Sequence, residues 1–226
     1  MGNEITLHDG KKITAESLGL KPKKSLSDML KGITIQEKAD KVLILIVDGS
    51  GSMGDTMGTN SKISVAWGIL NHKLLPNMSG WNLGIILFHG YQNIDWVLTP
   101  RQNVTSLVGM QPYADGSTPM RQALHEAWDW VSLHAKGARF VMLSDGEPDD
   151  SKDVILTDAR EHTNIPIDTI GIGSNSGFSY DPTFLLNLSQ ITGGIFVEAG
   201  TVTKLTEVIL KLSPTNRPLL GMVTNK

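Results

Sequence analysis

Lys41 to Val47 is an apolar run with four β-branched residues and no turn former, and it feeds directly into Asp48-Gly-Ser-Gly-Ser-Met-Gly54. Such a run reads as a strand buried on both faces, which in practice means a strand inside a parallel sheet covered by helices. The abrupt change to small, flexible, oxygen-bearing residues marks a loop at the strand's C-terminal end. Open α/β sheets place their ligands at that end.

The remainder of the chain from Lys41 onward alternates in the same way. Ser61 to Leu75 carries Ile63, Trp67, Leu70 and Leu74 at helical spacing and stops at Pro76. Trp81 to Phe88 is a second buried strand, and Ile94 to Leu98 follows after a connection too short for a crossover helix. That pair is therefore expected to be antiparallel, with the second strand at an edge. Pro119 to His134, Ser151 to His162, Asp181 to Gln190 and Thr203 to Leu212 read as helices. Ala138 to Leu143, Ile165 to Ile172 and Gly194 to Glu198 read as strands. Repeated strand–helix alternation predicts a doubly wound α/β fold: a mainly parallel sheet, one antiparallel edge strand, and helices on both faces.

Three segments lie in this domain plan: an N-terminal arm (1–40), the α/β domain (41–213) and a C-terminal tail (214–226). In the arm, Ile5 and Ile13 flank Asp9-Gly10 in the pattern of a small hairpin, and Ser25 to Lys31 reads as a short helix. The arm is too small for a core of its own.

Composition narrows the function. The net charge of -3 and the absence of a dense Lys/Arg tract argue against nucleic acid. No apolar run approaches the ~18 residues of a membrane span, and the first residues lack the apolar region of a secretory signal. With no cysteine, thiolate metal sites are excluded and a reducing cytoplasm is the expected compartment.

Three loops carry the chemistry. The first presents Asp48, Ser50 and Ser52, the second (Tyr113 to Pro119) presents Thr118 ahead of a helix, and the third (Met142 to Glu147) places Asp145 at a strand end. If the strands before the first and third loops are neighbours at the switch point of the sheet, both aspartates face one crevice. Two carboxylates and three hydroxyls form a hard-oxygen donor set. That set suits Mg²⁺ or Mn²⁺ ahead of Ca²⁺, and it leaves an open position for a carboxylate from another molecule.

These residues resemble the metal-ion-dependent adhesion site of the von Willebrand factor A family. Asp48-Gly-Ser-Gly-Ser52, Thr118 within Asp-Gly-Ser-Thr-Pro, and Ser144-Asp145-Gly146 match its pattern in order. The resemblance spans roughly Lys41 to Leu212. It implies the same doubly wound fold and direct metal ligation by Ser50 and Ser52. It also implies ligation by Thr118 directly or through water, and participation of Asp48 and Asp145, often through water. An acidic residue of a partner protein would complete the shell. Intracellular relatives often serve as adaptors, some beside AAA+ ATPases, so a subunit of such a complex is the partner class implied.

The expected function is a non-enzymatic, cation-dependent protein-binding module of the cytoplasm. Two alternatives from other classes stand beside it. One is a Mg²⁺-dependent hydrolase or phosphoryl-transfer enzyme, which lacks a motif-linked nucleophile and base. The other is a structural subunit whose metal site only rigidifies an assembly. Around the site, Glu147, Asp149, Asp150 and Asp153 are expected to complement the positive N-terminus of the following helix. Asp55 and Asp115 read as loop residues. His89, His125, His134 and His162 share no metal-ligand spacing.

Overall fold

The computed structural model describes residues 5–6, 12–13, 38–78, 81–100, 107, 112–173 and 181–212. It divides the chain into two compact units, 1–37 and 38–226. In the first unit, β1 (Ile5–Thr6) and β2 (Lys12–Ile13) pair antiparallel, Ile5 opposite Ile13. The short helix expected over 25–31 and the tail 214–226 lie outside the described residues, as do 174–180.

In the second unit, β3 (Val42–Asp48) lies between β8 (Ala138–Ser144) and β6 (Asn82–His89), parallel to both. β7 (Asn93–Leu98) pairs antiparallel with β6 and closes one edge. β9 (Ile167–Gly171) and β10 (Phe196–Glu198) extend the other side in parallel, giving the order β10-β9-β8-β3-β6-β7. The chain runs outward from β3 through β6 and β7, then returns across β3 to build β8. That reversal puts the topological switch at the C-terminal end of β3, where Asp48 ends the strand.

Alternation along β3 sorts its residues between two cores. Leu43, Leu45 and Val47 face α1 (Lys62–Ile69) and α5 (Val202–Leu212), meeting Ile63, Trp67, Leu205, Val208 and Ile209. Val42, Ile44 and Ile46 face α2 (Met120–His134), α3 (Lys152–Glu161) and α4 (Pro182–Ile191), meeting Leu124, Trp128, Ile155, Phe184 and Leu188. The period of two in the strand and the apolar stripes of the helices agree on the same layers. Between β8 and β9, Arg139 binds Asp168 through two hydrogen bonds, Nε to Oδ2 at 2.6 Å and Nη2 to Oδ1 at 2.5 Å. The one charged pair in that part of the sheet is thereby mutually neutralised.

Two local features depart from the sequence reading. The helix opened by Ser61, whose hydroxyl accepts the Ser64 N–H, does not run regularly to Leu75. It widens to a π turn over Leu70–Leu74 and tightens to a 3-10 turn over Leu75–Asn77. Pro76 has no N–H to offer the carbonyl one turn back and crowds it, so the regular ladder fails ahead of the proline. A small hairpin, β4 (Thr56–Met57) and β5 (Asn60–Ser61), stands between the first loop and α1. Its two-residue strands are too short to leave a period in the sequence.

Candidate metal centre

The loop after β3 turns sharply because Asp48 caps it from within. Its Oδ1 accepts the Ser50 N–H at 2.8 Å, and the chain then closes a short helical turn over Gly51–Gly54. This Asx-type turn brings the Ser50 and Ser52 hydroxyls to one side, 3.2 Å apart. The other Asp48 oxygen, Oδ2, accepts the Ser144 hydroxyl at 2.5 Å. Ser144 in turn accepts the Gly146 N–H at 2.9 Å, so one hydroxyl fixes both the β3 carboxylate and the turn that carries Asp145.

The second loop is laced to the first by backbone bonds. Asp115 N–H donates to the Gly49 carbonyl, and Gly51 N–H donates to Gly116. A further bond from Gly90 N–H to Asp115 ties in the end of β6. Gly116 sits at φ +63°, and a Cβ there would lie 2.5 Å from Gly90 Cα. Only glycine combines that backbone with that approach. Thr118 is then pinned to the third loop on both sides. Its N–H donates to Asp149 Oδ2 at 2.8 Å, and its carbonyl accepts the Asp149 N–H at 3.1 Å.

The structure thus brings the loops bearing Asp48, Ser50, Ser52, Thr118 and Asp145 into one hydrogen-bonded assembly. Asp48, Ser50, Thr118 and Asp145 are buried. Burial pushes the Asp48 carboxyl up to about 7, the Asp145 charge adds to the rise, and the Ser144 and Ser50 hydroxyls oppose it. Burial also raises Asp145, offset by the Ser52 hydroxyl and by Lys62. Among the described residues Asp145 Oδ1 has no hydrogen-bond partner, while Oδ2 lies 3.4 Å from Lys62 Nζ. Two buried carboxylates and an orphaned carboxylate oxygen are costly unless a cation completes them. The donor chemistry therefore fits a hard divalent ion. Among the described residues no group of three or more His, Cys, Asp or Glu side chains could hold a metal. Any ion here would depend on the hydroxyls as well as the two carboxylates.

Three contributors were not assigned by sequence reasoning. Ser144 lies inside the matched motif but carries no sign of its role, because its use depends on strand pairing. Lys62 sits ten residues beyond Ser52 and reaches back through α1. Asp149, expected to serve the next helix, instead positions Thr118; only Asp153 of that acidic group lies in the first turn of α3. Glu147 pairs with Lys152, His89 with Asp95, and His125 with Asp158. Next to the site, Gln92, Pro119, Arg121, Gln122, His125, Asp149 and Asp150 line an open surface hollow of about 570 Å³. Among the described residues no helix is long and apolar enough to cross a membrane.

Residues 88–197 match the family model described as von Willebrand factor type A domain. No curated protein matches the chain in sequence. Among solved structures, a von Willebrand factor type A protein from Catenulispora acidiphila is similar with a TM-score of 0.61 and 18% identity, covering 81% of this chain and 43% of that one. The SpRpn10 VWA domain is similar with a TM-score of 0.60 and 13% identity, covering 77% and 95%. The manganese-loaded TRAP protein of Plasmodium vivax is similar with a TM-score of 0.54 and 21% identity, covering 75% and 73%. At these identities the structural likeness concerns the fold. The family-model match is confined to residues 88–197, and the likeness to von Willebrand factor type A structures is one of fold.

Proposed function

We propose that this domain is a divalent-cation-dependent protein-binding module. The observation that carries the reading is the three-loop assembly, in which buried Asp48 and Asp145 stand beside paired serine hydroxyls and one carboxylate oxygen has no partner among the described residues. Ser50, Ser52 and Thr118 would ligate a Mg²⁺ or Mn²⁺ ion. Asp48 and Asp145 would supply the balancing charge, and Ser144 and Asp149 would hold these groups in place. The ion, when bound, supplies an electrophilic position for an acidic side chain of a partner protein. The manganese-loaded state named for the Plasmodium vivax neighbour supports the same choice of ion.

The reading is non-catalytic. Ser50 bonds to Ser52 and Ser144 bonds to Asp48, and no described hydrogen bond ties either hydroxyl pair to a histidine base. The partner class favoured by the resemblance is a subunit of an intracellular complex, such as one containing an AAA+ ATPase, and the cytoplasm is the proposed compartment. The test is capture of partners from source-cell lysate in Mg²⁺ and in EDTA, with wild type and Asp145→Ala. Binding seen only with wild type in Mg²⁺ supports the proposal. Binding indifferent to both contradicts it and moves the interaction surface elsewhere.

A further inference from the structure

A lysine lies inside the ring of donors. Lys62 is the first residue of α1, held there by its N–H bond to the Asp55 carbonyl and by the Ser61 cap. Its side chain is only 11% exposed. The ammonium contacts Asp145 Oδ2 at 3.4 Å, the Ser52 carbonyl at 3.2 Å and Asp55 Oδ2 at 3.5 Å. A buried ammonium carries a desolvation cost that only close anionic or carbonyl partners offset. Here the buried anionic partner is a carboxylate proposed to serve the metal, and the carbonyl belongs to a serine proposed to ligate it.

Asp145 is divided between two uses. Oδ2 is engaged by a cation the chain itself supplies, and among the described residues Oδ1 has no partner. With Asp48 ionised, as ligation requires, the buried charges are two carboxylates and one ammonium. Asp55 stands at the rim with a side chain 67% exposed, and Asp149 is likewise exposed, so water screens both. An incoming divalent ion meets one net negative charge at the buried site in place of two.

We infer that Lys62 is a resident counter-cation of the site. It holds Asp145 in place when no ion is bound, and by like charge it weakens the binding of the divalent ion. Resting on the metal-binding reading above, this makes occupancy responsive to changes in free cation concentration instead of locked on.

The test uses the full chain: Mn²⁺ titration by calorimetry, and thermal melting in EDTA, for wild type, Lys62→Met and Lys62→Arg. Removing the charge while keeping the aliphatic stem is expected to tighten Mn²⁺ binding about tenfold, while Lys62→Arg stays near wild type. In EDTA the Lys62→Met protein melts below wild type, and saturating Mn²⁺ removes the difference. If Lys62→Met does not fold, Lys62→Gln carries the same two readouts. Unchanged or weaker Mn²⁺ binding in the neutral variant, with wild type binding normally, overturns this inference and leaves the metal site standing. So does an unchanged melting temperature in EDTA. Failure of every form to bind Mn²⁺ overturns both proposals.

Discussion

Asp48 concentrates the electrostatics of the site in one side chain. Burial and the neighbouring Asp145 disfavour the charge and push its carboxyl from an ordinary 3.8 up to about 7. The folded state therefore binds more protons than the unfolded chain between those values, and stability falls as pH rises through that window, levelling off above it. The loss attributable to this group reaches about 4 kcal/mol in metal-free protein. Denaturant melts of wild type and Asp48→Asn in EDTA should show a stability difference that shifts against wild type from pH 4 to 7; a flat difference contradicts the account. Added Mn²⁺ should reverse the trend, since ligation requires the ionised carboxylate. At this scale the sequence was highly informative about residue type and poorly informative about pairing. Asp48, Ser50, Ser52, Thr118 and Asp145 are proposed from motif spacing, which survives in one dimension, and the structure gathers the loops that bear them. Ser144, Lys62 and Asp149 were not readable in that way, because each acts across a strand pair, a helix turn or a loop contact that sequence does not display.

Loops and helices show the same division. The strands were legible within a residue or two, most plainly β3, β6, β8 and β9, where burial on both faces accompanies a largely apolar run. The hairpin over 56–61 and the π turn over 70–74 left no period to read. One element-level prediction concerns the second loop. Gly116→Ala forces a side chain into a left-handed backbone and against Gly90. It should cost about 1–3 kcal/mol of stability from the backbone alone. Because that loop carries Thr118, cation affinity should fall with it. Chemical denaturation and Mn²⁺ titration check the two effects, and an unaltered Gly116→Ala protein would show that the Gly90–Gly116 contact does not position the loop.

Across the whole molecule, the two apolar layers on either side of the sheet contain none of the proposed ligands. The fold is therefore predicted to persist without a cation. Far-UV circular dichroism in EDTA should match that in Mg²⁺, while Phe140→Ala, which empties a fully buried position, should cost about 3–5 kcal/mol by denaturant melting. Sequence conveyed this architecture because layer assignment follows from strand alternation and helix stripes. The site is legible only in part, because its geometry is produced where three separate loops meet.

In the proposed site these three loops together bind one divalent ion through hydroxyl and carboxylate oxygens. Electron paramagnetic resonance of Mn²⁺ titrated into wild type and into Ser50→Ala/Ser52→Ala tests it most directly, because the double variant removes ligands without changing charge. The account predicts one bound ion in wild type and its loss in the variant, with circular dichroism unchanged. No bound ion in wild type, or equal binding in both proteins, would contradict it.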